Sequence, residues 1–220
     1  MSRDLVVFGV RQIAEVLTWY LERESDYRVA AFTVDGAFVD EPTFMGRPVV
    51  AFEEIAAQFS PETHEMFVAL SYAKMNRIRA EKFAAAKAAG YRLASHVSPK
   101  AQVWDGLEVG ENTFVMEQNV VQPFARIGAN TTLWAGNHIG HHARIGDHCF
   151  LASHIVVSGS VTIGDHCFIG VNATLRDGIT VADRTLIGAG ALLLGDTEPE
   201  QVFMSQATPV ARVPSSRVRI

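Results

Sequence analysis

Hydrophobic positions follow two different patterns in the two halves of the chain. In the first ninety-odd residues, apolar runs of strand length alternate with stretches whose apolar residues recur at helical spacing. The runs predict strands at DLVVFGV, YRVAAFTVD, MFVALS and YRLASHV, and the helical spacing predicts helices at RQIAEVLTWYLERES, FEEIAAQF and AKMNRIRAEKFAAAKAAG. Strands that alternate with helices are typical of a parallel sheet covered by helices. We therefore expect residues 1–96 to form a small α/β head with a Rossmann-like parallel sheet.

From Val97 onward the hydrophobic pattern has a period of six. Every sixth residue from Val97 to Leu193 is aliphatic, without a break, and the fifth position of each hexad is mostly small or apolar. This pattern is typical of a left-handed parallel β-helix, a repeat fold whose units bury their apolar faces by stacking. Three hexads form one triangular coil, so residues eighteen apart lie above one another. The sequence predicts this fold for residues 97–198, with no large inserted loop, and a C-terminal tail at 199–220.

Composition narrows the class of protein without identifying it. The chain has 220 residues, of which 20% are charged, and its formal net charge is -5. A mildly acidic protein is poorly suited to nucleic acid as its main partner, since phosphate binding requires a basic face. The first apolar segment is too short for a signal peptide, no segment approaches a membrane span, and two cysteines do not make a secreted disulfide framework. We therefore expect a cytoplasmic protein without membrane insertion.

Five of the eight histidines lie in one short stretch, NHIGHHARIGDHCFLASH. In the hexad register none of them points inward. We expect His148 and His166, one coil apart, to form a ladder on a solvated face, and Cys149 and Cys167 to stack in the inward small-residue slot. No two histidines are five apart, so the H-x4-H pair of the zinc-binding β-helices, as in the gamma-class carbonic anhydrases, is missing, and we expect no metal site.

One histidine has a glycine as its stacking neighbour. Gly159 lies one coil on from His141, and a glycine there allows a ligand to approach the backbone and leaves an unobstructed N–H. A general base beside a backbone donor is what acyl transfer from a thioester requires. The base takes a proton from the attacking amine or hydroxyl, and the donor stabilises the tetrahedral oxyanion. The pattern favours His141 as the base, because a neutral imidazole can take up a proton near neutral pH.

The hexads, the GHHARIG stretch from Gly140 to Gly146 and the ATPVARV segment together carry a resemblance. The chain resembles the bacterial sugar acetyltransferases of the sialic-acid O-acetyltransferase type, which include N-acetyltransferases acting on UDP-linked bacillosamine precursors and on GDP-perosamine. In that family a Rossmann-like head holds a nucleotide-linked sugar, and the β-helix forms a homotrimer that binds acetyl-CoA between subunits. The resemblance implies that His141 is the catalytic base and that the amide of Gly159 stabilises the oxyanion.

The same resemblance implies further site residues and one departure. It implies that acetyl-CoA runs along the coils past Asn172 and Ala189, with Arg212 near its phosphates. The family pattern around the base is E-H-D-C-x-I-G, and its acidic residues are replaced here by Gly140 and His142. The groups that could orient His141 are then Asn137, His138 or an acidic group of the adjacent subunit.

In the head, the family's glycine-rich turn is reduced to Gly9 in FGVRQIA. Arg11 could contact a phosphate, Asp35 could contact a ribose or base, and the SYAKMNR segment offers three more candidates for substrate binding: Ser71, Asn76 and Arg77. The alternatives are that Arg11 and Arg77 are solvated helix charges and that Asp35 forms a turn.

The sequence features can be compared with three functions. The favoured one is acetyl-CoA-dependent acetylation of an amino or hydroxyl group on a nucleotide-linked sugar, for surface polysaccharide. A β-helix nucleotidyltransferase needs a longer head with a glycine-rich activation loop, which is missing. A non-catalytic trimeric scaffold or sugar-binding module stays open. Aromatic side chains could line a trimer contact or pack under the head: Trp104, Phe114 and Trp134.

Overall fold

The computed structural model describes residues 3–210, 212, 213 and 215–217. The described part of the head contains five strands and three α-helices, and three of the strands follow one another without an α-helix between them. In chain order, these elements are β1 (Arg3–Phe8), α1 (Gln12–Glu24), β2 (Tyr27–Val34), β3 (Thr43–Phe44), β4 (Arg47–Ala51), α2 (Phe52–Gln58), β5 (His64–Val68) and α3 (Arg77–Ala88). The sheet order is β3-β4-β2-β1-β5, with only β3 antiparallel to its neighbour. The predicted Rossmann-like parallel sheet is confirmed.

Burial explains why the sequence of β1 is a continuous apolar run. Leu5, Val6 and Val7 are fully buried, because helices and the second half of the chain cover both faces of the sheet. The prediction missed the short strands β3 and β4, and the strand predicted at YRLASHV is wrong. Leu93 forms only an isolated bridge with Met66, and His96–Val97 is already the first strand of the next unit.

The second half of the chain is a three-sided prism of two-residue strands. Face 1 contains β6 (His96–Val97), β8 (Phe114–Val115), β11 (Thr132–Leu133), β14 (Phe150–Leu151), β17 (Phe168–Ile169), β20 (Leu186–Ile187) and β22 (Val202–Phe203). Face 2 contains β7 (Gln102–Val103), β9 (Val120–Val121), β12 (His138–Ile139), β15 (Val156–Val157), β18 (Thr174–Leu175) and β21 (Leu192–Leu193). Face 3 contains β10 (Arg126–Ile127), β13 (Arg144–Ile145), β16 (Thr162–Ile163) and β19 (Thr180–Val181).

The register of the prism agrees with the sequence. Leu133 pairs in parallel with Leu151, eighteen residues on, and the aliphatic positions of the hexads form one buried core. Cys149 and Cys167 are buried in that core, as predicted. The left-handed β-helix is therefore confirmed. Strand β22, which follows a longer turn, extends face 1 beyond the last regular hexad.

The turns at the prism corners explain why histidines recur there. His142, His148, His154 and His166 all have φ of 59–60°, in the left-handed region. Each corner needs one residue of this kind per coil, and asparagine and histidine adopt it more readily than most side chains. Asn172 occupies another such position. The cluster of histidines is thus partly a consequence of the turn geometry.

The head packs on face 1 and on the corner between faces 3 and 1. Phe114 is buried between the prism and the aromatic rings of Tyr20 and Phe67. Trp134 also packs against the head, whereas Trp104 packs on the prism core beside Phe124. Phe114 and Trp134 therefore pack under the head, which is one of the two alternatives given for these aromatic residues.

The histidine ladder exists, but its predicted exposure is wrong. The rings of His148 and His166 lie 4.7 Å apart, and both side chains are half-buried because α3 covers this corner. The Phe83 ring lies 5.5 Å from His148, whose Nδ1 is 2.8 Å from the Asn130 amide nitrogen. Burial lowers the pKa of His148, and the neighbouring His166 lowers it further.

None of the helices described is long and apolar enough to cross a membrane.

Candidate active site

The imidazole of His141 lies directly over the α-carbon of Gly159. His141 is in the turn between β12 and β13, at the corner between faces 2 and 3, and its side chain is exposed. A β-carbon built on Gly159 would lie 2.6 Å from Cε1 and 2.7 Å from Nε2 of that ring. Ordinary carbon contacts are about 3.5–4.0 Å, so only glycine leaves room for this arrangement. The stacking that the register predicts thus brings the candidate base His141 and Gly159 together.

The hydrogen bonding of the Gly159 main-chain N–H distinguishes this corner of the prism. Within the described part of the chain this N–H has no hydrogen-bond acceptor, although Gly159 itself is buried. A second histidine, His154, lies over Gly136 in the same way, but the Gly136 N–H already donates to the Glu117 carbonyl at 3.2 Å. An exposed histidine next to a main-chain N–H that has no acceptor in the described structure therefore occurs at His141 and not at His154.

Three side chains surround the His141–Gly159 pair. Nδ1 of His142 lies 3.2 Å from Nδ1 of His141, and the His142 ring packs on Phe124 with centroids 4.8 Å apart. Asp177 Oδ1 approaches the Gly159 α-carbon from one coil further on, 2.8 Å from the position of a β-carbon there. The sequence analysis does not predict Asp177 as a site residue, although Asp177 is eighteen residues after Gly159 and therefore stacks on it in the register.

Neither of the two residues predicted to orient His141, Asn137 and His138, forms a hydrogen bond with the His141 side chain in the described structure. Asn137 is wrong as an orienting group, because its side chain is buried inside the prism, donates to the Trp134 carbonyl at 2.5 Å and accepts from the Ile155 N–H at 2.8 Å. His138 points outward from face 2 and is half-buried. No hydrogen bond of the His138 side chain to His141 occurs in the described structure.

A large cleft lies between the head and face 1. Its volume is about 950 Å³, and its prism side is close to the corner between faces 1 and 2. Head and prism both contribute to its walls, among them Arg11, Ser71, Tyr72, Trp134, Phe150 and Ser153. Tyr72 is half exposed, and its ring contacts Phe150 and Phe168 at 5.0 and 4.6 Å. His141 is at a different corner and does not line this cleft.

A smaller pocket of about 330 Å³ adjoins the cleft at the carboxyl ends of β1, β2 and β5. Arg11, Asp35 and Ser71 are brought together there, at the edge where open α/β sheets bind ligands. Gly9 makes the tight turn possible, since its φ is +134° and a β-carbon would lie 2.8 Å from the Ala69 carbonyl oxygen. Lys82, which the sequence prediction missed, donates to Asp35 Oδ1 at 2.5 Å.

The two remaining head candidates, Asn76 and Arg77, are not in this pocket. Asn76 is wrong as a substrate contact, because it is fully buried and its amide donates to the carbonyls of His166 and Cys167. Arg77 is exposed and lies 3.7 Å from Glu81, as a solvated helix charge does. Two residues further, Arg79 is buried against the prism. It has no distinguishing signal in the sequence, where it is one of four basic residues in α3.

Two of the predicted cofactor residues lie on the corner between faces 1 and 2. Asn172 and Ala189 are both exposed there, in successive coils. Arg212 is exposed too, although Ala211 beside it is outside the described residues. Within the described ranges, no group of three or more His, Cys, Asp and Glu side chains is arranged to hold a metal ion.

Comparisons with known proteins agree with the fold. Residues 124–159 match the family model of the bacterial transferase hexapeptide (six repeats), and residues 160–194 match that of the hexapeptide repeat of succinyl-transferase. A comparison with curated proteins finds no match. Among solved structures, the acetyltransferase domain of PglB from Neisseria gonorrhoeae FA1090, in complex with acetyl coenzyme A, has a TM-score of 0.81 at 23% identity. The alignment covers 92% of this chain and 96% of that one.

PerB from Caulobacter crescentus, in complex with CoA and GDP-perosamine, has a TM-score of 0.78 at 26% identity, over 91% of both chains. A histidine-to-asparagine variant of perosamine N-acetyltransferase from the same organism has a TM-score of 0.80 at 26% identity, over 90% of this chain and 92% of that one. The fold and the repeat families make the chain similar to acyltransferases of the left-handed β-helix type. Over nine-tenths of its length it is similar to the perosamine N-acetyltransferase, which confirms the resemblance to sugar acetyltransferases.

Proposed function

We propose that this protein transfers an acetyl group from acetyl-CoA to an amino or hydroxyl group of a nucleotide-linked sugar. His141 takes the proton from the attacking group, and the Gly159 N–H donates to the oxyanion of the tetrahedral intermediate. The observation that carries the proposal is the position of the His141 ring over Gly159, beside a main-chain N–H that no described residue accepts. We further propose a cytoplasmic role in surface polysaccharide synthesis, since activated sugars and acetyl-CoA are both cytoplasmic metabolites.

The sugar nucleotide is assigned to the head and the cleft. The pocket at the carboxyl ends of β1, β2 and β5 has room for a base or ribose beside Asp35 and Lys82. The adjoining cleft of about 950 Å³ has room for the sugar. Its aromatic wall, which includes Tyr72 and Phe150, suits the apolar face of a pyranose ring. PerB, which binds CoA and GDP-perosamine, supports this class of acceptor.

The orientation of His141 follows from its contact with His142. The base needs Nε2 unprotonated, so its own proton must be on Nδ1, and Nδ1 of His142 lies 3.2 Å away as acceptor. The tautomer of an imidazole is set by the hydrogen bond that its other nitrogen makes. His142 therefore has the role that acidic neighbours of the base have in the family.

The active protein is proposed to be a homotrimer, because one chain separates the base from the cleft. His141 is at the corner between faces 2 and 3, whereas the cleft and the cofactor residues Asn172 and Ala189 are near the corner between faces 1 and 2. A threefold axis beside face 2 would bring the corner with His141 in one copy against the corner with Asn172 and Ala189 in the next copy. Face 2 is suited to such a contact, since face 1 is covered by the head and face 3 points Arg126 and Arg144 outward. The outward residues of face 2 are mostly apolar or uncharged: Val120, His138, Val156, Thr174 and Leu192.

The test is thiol release from acetyl-CoA with a panel of UDP-, GDP- and dTDP-linked amino sugars. His141→Ala is compared with His64→Ala, which removes a histidine at the amino end of β5, the end of that strand opposite to the small pocket. We expect one sugar to be turned over by the wild type and by His64→Ala, and a loss of at least about 100-fold in His141→Ala. Equal rates in both variants would refute His141 as the base. A wild type that does not bind acetyl-CoA would favour the non-catalytic scaffold.

A further inference from the structure

Arg79 is a buried cation that the proposed reaction leaves without a role. Its exposed fraction is 1%, and it contacts main-chain oxygens rather than carboxylates among the described residues. Nη2 donates to the carbonyls of His148 and Cys149 at 3.2 and 2.9 Å. Burial lowers the pKa of Arg79 to about 10, so the guanidinium still carries its charge at neutral pH.

Attachment of the head to the prism does not by itself call for a charge here. Asn76, one turn earlier, makes the same kind of contact with a neutral amide that donates to the carbonyls of His166 and Cys167. Burying an ion without a counter-charge is strongly unfavourable, even when its hydrogen bonds are satisfied. Nε of Arg79 is also without a partner in the described structure. The charge itself therefore calls for an explanation.

The other side of the guanidinium faces the loop that follows β5. Nη1 lies 3.4 Å from the Leu70 carbonyl oxygen and 3.5 Å from that of Ser71. A trans peptide is planar, with its C=O and N–H on opposite sides. Because these two carbonyls point at Arg79, the N–H groups of Ser71 and Tyr72 point away from it. Neither N–H has an acceptor within the described ranges, and both residues line the large cleft.

We propose that the amides of Ser71 and Tyr72, backed by the charge of Arg79, form an anion-binding site in the cleft that takes the diphosphate of the sugar nucleotide. Two adjacent N–H groups form a concave donor set of the kind that binds phosphate oxygens. Arg79 does not touch the ligand. It fixes the two peptide groups and adds a positive potential behind them, and the surrounding protein screens that potential less than water does. The Phe150 ring, 5.7 Å from the guanidinium carbon, separates the charge from the cleft on the prism side.

This inference rests on the proposed function only for the identity of the anion. Inorganic pyrophosphate tests the site without a sugar or a nucleotide. The full chain is labelled with ¹⁵N-tyrosine, which gives four signals because the chain has four tyrosines, and Tyr72→Phe assigns one of them. We expect the Tyr72 amide proton to shift downfield as pyrophosphate is added. An amide that does not respond would overturn the proposal.

Calorimetry then measures the contribution of the charge. UDP, GDP and dTDP are titrated against Arg79→Gln, Arg79→Lys and Asn76→Ala, with the corresponding nucleosides as controls. We expect Arg79→Gln to raise the Kd of the preferred diphosphate roughly tenfold or more and to leave nucleoside binding unchanged, while Arg79→Lys retains most of the affinity. Asn76→Ala removes docking contacts but no charge, so it should weaken diphosphate and nucleoside alike.

The outcomes separate the two proposals. If Arg79→Gln and Asn76→Ala raise both Kd values by the same factor, Arg79 only docks the head and the anion site is refuted. If Arg79→Gln does not fold, the Tyr72 amide shift in the wild-type protein decides the question. If pyrophosphate shifts that amide but no nucleoside diphosphate binds, the anion site stands and the nucleotide part of the proposed function fails. If nucleotides bind while the amide is silent, the reverse holds.

Discussion

Replacing Gly159 with alanine should damage catalysis far more than stability. The new methyl group would lie 2.6–2.7 Å from the His141 ring and 2.8 Å from Asp177 Oδ1. Normal contact requires about 3.5 Å or more, so the ring must move by about 1 Å. Misplacement of a catalytic group by that distance can lower the rate about 100-fold. We therefore expect kcat to fall by about that factor.

The free energy of unfolding should change by less than about 1 kcal/mol in the same variant. Both His141 and Asp177 are exposed, so their side chains can swing into solvent. The φ of Gly159 is outside the left-handed region, so alanine meets no backbone strain there. Alanine also restricts the unfolded chain, which stabilises a protein by about 0.4–1 kcal/mol at compatible positions.

The assay combines thiol release from acetyl-CoA with urea unfolding. Gly195→Ala is the matched control, because Gly195 occupies the same corner position two coils further on and has open space around it. Its kcat should equal that of the wild type. If Gly159→Ala keeps full activity and stability, the close approach of His141 to Gly159 has no part in the reaction. If it unfolds, the tolerance of the corner has been misjudged.

Two further predictions concern the contact of His142 with His141 and the burial of His148 and His96. His142→Phe keeps a ring beside Phe124 but removes the nitrogen that lies 3.2 Å from Nδ1 of His141. Phenylalanine can adopt the left-handed conformation of this corner, since Phe124 has a φ of 68° one coil earlier. We expect kcat to fall roughly tenfold, as for one lost hydrogen bond, at unchanged KM for acetyl-CoA, and an unchanged kcat would mean that another group orients the base. Burial lowers the pKa values of His148 and His96, so their neutral forms favour the fold and each group's contribution is complete above pH of about 6.5. Below that pH each contribution falls by at most about 1.4 kcal/mol per pH unit, down to the folded-state pKa. Urea unfolding between pH 7.5 and 5 should therefore show a shallower loss in His148→Asn, which keeps a residue suited to the left-handed corner, and parallel curves would contradict this origin.

The fold could be predicted from the sequence because each of its units repeats one simple rule. The prism core needs an aliphatic residue every sixth position, and Val97 to Leu193 satisfy this without a break. In the head, β1 and β2 are predicted by their apolar runs because both sides of the sheet are covered. The strands β3 and β4 were missed because they are short and Pro48 lies within β4.

The site was less accessible, because its residues are distinguished by packing rather than by type. The register predicts that His141 stacks on Gly159, but the exposure of His148 and His166 depends on where α3 docks, which no periodicity encodes. Asn76 and Arg79 look like solvent-facing helix residues until the prism is placed against them. Asn137 has the polar side chain of a candidate ligand, yet its hydrogen bonds are inside the prism.

A repetitive scaffold acquires chemistry where it departs from its own repeat. Each corner of the prism offers one left-handed position per coil, and histidine occupies several of them. His148 stacks on another histidine under α3, and His154 lies over a glycine whose N–H is already used. At His141 the glycine one coil on has an N–H without an acceptor among the described residues, and the next turn position is a second imidazole, with its Nδ1 3.2 Å from Nδ1 of His141. That combination of room, donor and orienting partner separates one exposed histidine from the others, although all share the same kind of turn.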